Sequence, residues 1–202
     1  MVDTQGGLTP FFEPRSVAIV GASAVPGKAG HELIRNIQAN GYPGRLHPVN
    51  PKGGEILGLP VSASIAGLPD GVDLALVVLP AEGTPAAVRQ CAARGIRHIV
   101  LMAGGFAEVD DAGTRIQHEL IEIVRETGVR LMGPNISGHT STPAAFTSAF
   151  FPLGRIRRGT VSIVAQTGNF ATHTMKYILS AEHYGVCRVI GLGNKVDIDE
   201  TD

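Results

Sequence analysis

The chain is 202 residues long, 44% hydrophobic and 17% charged, with a formal net charge of −1. That balance permits a well-packed core and leaves no excess of either sign for nucleic acid or an anionic membrane surface. Trp is absent and aromatics are only 5%, which argues against base stacking.

Gly (26 residues) and Pro (13) fall between apolar runs as punctuation, so disorder is not expected. No run approaches the roughly 18 apolar residues of a membrane span. Residues 1–10 lack the positive region and apolar core of a signal peptide. The expectation is a soluble, cytoplasmic protein. Cys91 and Cys187 lie far apart without metal-ligand spacing, so both read as small buried hydrophobes in a reducing compartment. No metal site is expected.

The first apolar run, residues 16–20, reads as a buried strand and feeds the loop Gly21-Ala22-Ser23-Ala24-Val25-Pro26-Gly27-Lys28. A helix follows from about Lys28, with Gly30, Leu33, Ile34 and Ile37 on one face, and turn residues from Asn40 stop it. Residues 45–49 are a second strand ending at Asn50-Pro51-Lys52, and residues 56–61 an irregular excursion holding a short strand. The run 72–79 is apolar at every position but Asp73, as in sheets covered on both faces. Thr84-Pro85 opens a helix that closes at Gly95. A strand over 98–102, a helix from about Asp111 to Gly128 and a strand over 129–132 complete the series.

Five strands alternating with helices predict a doubly wound, Rossmann-type parallel α/β sheet. In such a sheet ligands bind in the loops beyond the strand C-termini. These are the loops at 21–28, 50–54, 79–83, 103–106 and 133–135.

Periodicity is lost over 136–158, which reads as a linker with a basic end at Arg155, Arg157 and Arg158. It then restarts: a strand over 160–165, the turn Gln166-Thr167-Gly168-Asn169, a helical face of Ala171, Met175, Ile178 and Leu179, and a strand over 186–192. Asp197, Asp199, Glu200 and Asp202 read as a solvated acidic turn. The expected division is a domain over 1–152, linker included, and the first part of a second, flavodoxin-like α/β domain over 153–202. A single βαβ unit cannot close such a sheet, so the second domain is expected to be incomplete.

The loop after the first strand sits where a strand, a Gly-rich turn and a helix N-terminus make a phosphate site. It departs from the dinucleotide fingerprint G-x-G-x-x-G in two ways. The loop is one residue longer, with Ser23 at the second glycine's place. The second strand ends in Asn50 and Lys52, not in the acidic residue that receives a ribose 2′-hydroxyl. A cation there favours a nucleotide with an extra ribose phosphate, either coenzyme A or NADP, over NAD.

The motifs Gly21-Ala22-Ser23, Pro26-Gly27-Lys28, Pro48-Val49-Asn50-Pro51-Lys52 and Gly133-Pro134-Asn135 resemble the coenzyme A-binding domain of nucleoside-diphosphate-forming acyl-CoA synthetases. This is the superfamily of succinyl-CoA synthetase and ADP-forming acetyl-CoA synthetase. Leu79-Pro80-Ala81, Gly104-Gly105-Phe106-Ala107-Glu108, Val164-Ala165-Gln166-Thr167-Gly168-Asn169 and Gly193-Asn194-Lys195-Val196-Asp197 continue the resemblance in order.

The resemblance implies a residue-by-residue coenzyme A site. Gly21, Ser23, Ala24, Val25, Gly27 and Lys28 would receive the phosphates, and Asn50 and Lys52 the charged nucleotide end. Leu79 and Pro80 would pack beside adenine or ribose. Ala103, Gly104 and Gly105 would flank the pantetheine arm, and Asn135 would orient the thiol end. Gln166, Thr167, Gly168 and Asn169 would form the second domain's phosphate loop, although Ala165 and Thr167 replace the family's serines.

The implied activity is acid–thiol ligation through an acyl phosphate and a phosphohistidine. That histidine lies beyond this chain, so no catalytic residue is assigned within it, and the chain alone is expected to be inactive. ATP or GTP and Mg are implied only with the remaining domains or a partner subunit carrying the phosphohistidine and nucleotide-grasp parts. Self-association into a homo-oligomer is left open. Two alternatives stand beside this reading: a stand-alone coenzyme A or acyl-CoA sensor, and an NADP-binding oxidoreductase domain. His139 and His173 lie near the implied site without being assigned the phosphoryl group, and His31, His98 and His118 read as structural or surface residues.

Overall fold

The computed structural model describes residues 7–151, 156–168, 170, 173, 174, 177, 180 and 185–202. The core is a five-stranded parallel sheet of β1 (Ser16–Val20), β2 (Arg45–Val49), β5 (Leu74–Val77), β6 (His98–Leu101) and β7 (Arg130–Met132), in the order β2-β1-β5-β6-β7. Between them, β3 (Glu55–Ile56) and β4 (Leu59–Pro60) form a small hairpin. Its central residues Leu57 and Gly58 have φ of 51° and 81°, the left-handed pair that a tight two-residue turn requires. Residues 55–60 therefore form a hairpin where one short strand is expected within 56–61.

Alternation along β1 divides its side chains between two cores, because successive residues of a strand point to opposite faces. Val17 and Ile19 join Leu74, Leu76, Leu33, Ile34 and Ile37 on the face covered by α2 (Ala29–Ala39). Ala18 and Val20 join Val77, Val88, Leu120 and Ile123 on the face covered by α3 (Thr84–Ala93) and α4 (Asp111–Thr127). Every residue of β1, β5 and β6 is buried, which is why these runs are apolar without alternation. Helix α4 is capped at both ends: the Asp110 side chain accepts from the Gly113 N–H, and Gly128 closes it at φ 67°. A four-residue helix, α1 (Thr9–Phe12), stands where the sequence shows only a tail, and it buries Phe11 against the His98 ring at 5.2 Å.

A second, four-stranded sheet has the order β10-β11-β8-β9. Strands β10 (Arg158–Ala165) and β11 (Val186–Gly191) are parallel. Strand β8 (His139–Ser141) pairs antiparallel with β11, and β9 (Phe146–Thr147) with β8. The stretch 136–158, expected to be a linker, thus supplies two strands of this sheet. They carry no periodic signal because they are three and two residues long, and β8 is polar yet fully buried. Its polarity is largely satisfied internally, the buried Ser141 hydroxyl excepted: the Thr140 and Thr147 hydroxyls meet at 2.8 Å. The Ser148 hydroxyl accepts from the His139 N–H and donates to Nδ1, both at 2.8 Å. His139 Nε2 donates to the Phe11 carbonyl, and burial pushes the ring's pKa down to about 4.

The acidic segment after β11 also differs from the expected solvated turn. Asp197 and Asp202 both pair with Arg130, at 3.0 and 2.7 Å. Asp197 also accepts from the Leu131 N–H, and backbone bonds from Val196 and Ile198 reach Gly133 and Leu131. The segment docks along the free edge of β7 because that edge offers unpaired backbone groups and a cation. Cys91 is buried, with its thiol pushed up to about 12, whereas Cys187 is only half-buried, and both are free. The expected helical face at Ala171, Met175, Ile178 and Leu179 lies outside the described residues, as does Asn169. Among the described residues no helix is long and apolar enough to cross a membrane.

Candidate functional site

The chain order of the first sheet reverses between β1 and β5, the place where a doubly wound sheet opens a crevice beyond its strand C-termini. Gly21 stands there with φ 92°, and a Cβ on it would lie 2.9 Å from the Val78 carbonyl oxygen. Only glycine lets the chain leave β1 so close to the end of β5. Gly30 has a similar role at the second residue of α2, since a Cβ there would lie 2.2 Å from the Gly21 carbonyl oxygen. The loop is thereby pressed onto the start of the helix.

Bonds to its neighbours hold the loop's shape. The N–H groups of Gly21 and Ala22 both donate to the Val49 carbonyl at 3.2 Å. Asn50 ties the loops after β1 and β2 together: its Nδ2 donates to the Ala22 carbonyl at 2.7 Å, and its Oδ1 accepts from the Lys52 N–H at 2.9 Å. Ser23 Oγ accepts from the Val25 N–H. Ala24, Val25, Gly27 and Lys28 are exposed, as is Lys52.

At the helix start, the Gly27 N–H donates to Glu32 Oε1 at 2.9 Å. This bond, with contributions from His31 and Arg35, holds the buried Glu32 carboxyl below its ordinary pKa although burial opposes it. One donor of the glycine-rich turn is therefore satisfied by the protein's own carboxylate. The sequence pattern shows no sign of this.

A cavity of about 860 Å³ lies beyond the C-terminal ends of β5, β6, β7, β10 and β11, where the two sheets converge. Leu79 and Pro80 line it after β5, Ala103 and Gly104 after β6, and Asn135 after β7. Gln166, Thr167 and Gly168 line it after β10. The structure thus brings eight of the expected site residues to one space. Gly21, Ser23, Ala24, Val25, Gly27, Lys28, Asn50, Lys52 and Gly105 are not among the lining residues, although Ala29, next to Lys28, is.

The floor is fixed from both sheets. The Asn135 N–H donates to the Ala103 carbonyl at 2.9 Å, and the Asn194 N–H to the Pro134 carbonyl at 2.9 Å. Asn135 itself has φ 60°, which asparagine tolerates better than most residues. Thr167 Oγ1 accepts from the Phe170 N–H at 3.2 Å, which leaves its hydroxyl proton free to donate. Gly168 packs so tightly on Ser137 that a Cβ would lie 1.8 Å from the serine Oγ.

Several lining residues escaped the sequence reading, among them Glu108, Ser137, Phe150 and Asn194. Glu108 and Asn194 stand in the quoted motifs, so their signal was present. Phe150 has none: Asn36 Nδ2, on α2, holds the flanking carbonyls of Ala149 and Phe151 at 2.8 and 2.9 Å. Among the histidines, His139 has both ring nitrogens engaged in the protein interior, and His173 is exposed. His31 and His98 are buried, and His118 is exposed.

Known proteins resemble this chain in sequence and in fold. Acetate–CoA ligase (ADP-forming) I subunit alpha of Pyrococcus furiosus is 36% identical over 96% of this chain and 43% of its own length. Acetate–CoA ligase (ADP-forming) II of Archaeoglobus fulgidus is 36% identical over 96% of this chain and 29% of its own length. Among solved structures, an acetyl-coenzyme A synthetase 1 of Ca. Korarchaeum cryptofilum in complex with phosphate and ADP superposes with a TM-score of 0.91 at 31% identity. That match covers 96% of this chain and 41% of the synthetase. The chain therefore spans less than half the length of these relatives and resembles their coenzyme A-binding portion. Residues 15–139, which run from the lead-in to β1 through the Gly133–Asn135 turn, match the CoA binding domain, and the chain belongs to that family.

Proposed function

We propose that this chain is the coenzyme A-binding portion of an ADP- or GDP-forming acyl-CoA synthetase. The whole protein would convert a carboxylic acid, coenzyme A and a nucleoside triphosphate to acyl-CoA, nucleoside diphosphate and phosphate. One observation carries the reading: five residues expected at the coenzyme A site and three of the expected phosphate loop line a single cavity beyond the strand C-termini, beside the glycine turn at the switch point. Coenzyme A enters as a substrate. Its phosphates meet the loop from Gly21 to Lys28 and the N-terminus of α2, where the helix dipole favours an anion. Asn50 orders the turn that carries Lys52, and the Lys52 ammonium meets the 3′-phosphate. Leu79 and Pro80 pack on the nucleoside, and the pantetheine arm runs over Ala103, Gly104 and Gly105 toward Asn135.

Residues 1–152 form the coenzyme A domain in this reading, and 153–202 begin a second one. Strand β8 reaches across that division to pair with β11, and carries β9 on its other edge. The turn Gln166-Thr167-Gly168-Asn169 is assigned to the phosphohistidine, which lies further along the second domain, outside this chain, as does the nucleotide-grasp part with its ATP or GTP and Mg. The protein acts in the cytoplasm.

Titration calorimetry of the chain with coenzyme A and with its 3′-dephospho form tests the proposal. Coenzyme A is expected to bind several-fold more tightly, and Lys52→Ala to abolish the difference. Equal binding of the two ligands removes Lys52 from its role. Binding of NADPH in place of coenzyme A overturns the whole reading.

A further inference from the structure

The cavity rim carries a directed chain of side-chain hydrogen bonds linking the two sheets. Glu108 Oε1 accepts from the N–H groups of Gly105 and Phe106 at 2.7 and 3.2 Å. Its Oε2 accepts from Asn194 Nδ2 at 2.6 Å, and the same nitrogen donates to Gln117 Oε1 at 2.9 Å. With both donors of its amide directed at those oxygens, Asn194 presents Oδ1 to Asn135, whose Nδ2 donates to it across a longer 3.4 Å. Asn135 Oδ1 is then left over Gly104, where it lies 3.2 Å from the point a Cβ on that glycine would occupy. Asn135, Gly104, Glu108 and Asn194 all line the cavity.

An amide has a donor end and an acceptor end, so each link dictates the orientation of the next. The chain starts at a carboxylate, which can only accept while ionised. Burial raises the Glu108 pKa, but bonds from the Asn194 amide and the Gly105 and Phe106 N–H groups outweigh it and hold the carboxyl below its ordinary value. At neutral pH the polarity of the whole chain is set from that end.

We propose that Glu108 and Asn194 are positioning residues that orient the Asn135 amide with Oδ1 toward the cavity, to accept a hydrogen bond from an N–H or S–H donor of the pantetheine arm. The inference rests on the coenzyme A reading above and deepens it. In Glu108→Gln the new amide keeps its oxygen on Gly105 and Phe106 and turns its NH2 to Asn194. Asn194 and then Asn135 must invert, and the cavity receives a donor where it had an acceptor. Asn135→Asp sets an oxygen against Asn194 Oδ1 in the native chain, yet it fits the inverted chain and still offers an oxygen to the ligand.

The test is titration calorimetry with coenzyme A and with adenosine 3′,5′-bisphosphate, which lacks the arm. Each single variant is expected to weaken coenzyme A about tenfold, the size of one hydrogen bond. Adenosine 3′,5′-bisphosphate should bind all variants equally. The Glu108→Gln/Asn135→Asp double variant should regain coenzyme A affinity, which a merely structural role for Glu108 cannot produce. Desulfo-coenzyme A separates the donors: a retained penalty in Glu108→Gln identifies an amide N–H, and a vanished one the thiol. Additive losses in the double variant, or equal losses for both ligands, overturn the relay while leaving coenzyme A binding intact. Failure of the unaltered chain to bind coenzyme A overturns the functional reading and the relay with it.

Discussion

Strands β5 and β10 both read as strands in the sequence and end in different environments. Strand β5, Leu-Ala-Leu-Val, is buried at every position, with α2 on one face and α3 and α4 on the other. Strand β10, with Val161, Ile163 and Val164 among its eight residues, is buried only at Ala165, and Val164 is 54% exposed. Apolar composition raises the chance of a strand, but the helices packed on a sheet decide how much area leaves water. The first sheet is a core in its own right, and the second is joined to it along the cavity.

The sharpest way to break that contrast is to compare core truncations. Leu76→Ala in β5 is expected to cost about 3 kcal/mol in denaturant unfolding, through lost burial plus a cavity. Comparable costs in the two sheets would refute the contrast. A middle-sized effect probes the joint between them: Asp197→Ala removes a partner from Arg130 and from the Leu131 N–H. A loss of about 1–2 kcal/mol is expected, with faster amide exchange at Leu131 and Ile198.

Acid is expected to act through His139, whose folded pKa of about 4 lies below the ordinary 6.5. The unfolded chain binds the proton more readily, so this contribution to stability is complete above 6.5 and declines as pH falls toward 4. About 1 kcal/mol should be lost between pH 6.5 and 5.5, and His139→Gln should flatten that slope. His47 and His98, also lowered chiefly by burial, act in the same direction. The smallest effect is expected at Val164→Ala, within about 0.5 kcal/mol, since the side chain is mostly in water.

Much of the candidate site was legible because its signals are local. Gly21, Gly27 and Gly30 mark the turn and the helix start by spacing alone, and Pro85, Asp111 and Gly128 mark helix ends. Strands of four or five apolar residues and helices with three-four spacing are written in neighbouring residues, and so is the order of loops along the sheet edge. Elements too short for a period were not legible: α1, β8 and β9 exist because Phe11, His139 and Phe146 find burial in distant parts of the chain.

Local sequence therefore settles where strands, helices and turns fall, and with the right-handed crossover it settles which loops share an edge. Only the tertiary structure decides what those loops do to one another. Glu32 claims the Gly27 N–H from within the helix, Asp197 turns an acidic tail into an edge lock on Arg130, and Glu108, Asn194 and Asn135 meet from three separate loops. Periodicity reports a residue's relation to its near neighbours. A hydrogen bond across 59 or 86 positions depends on the packing of two sheets, which no window of the sequence contains.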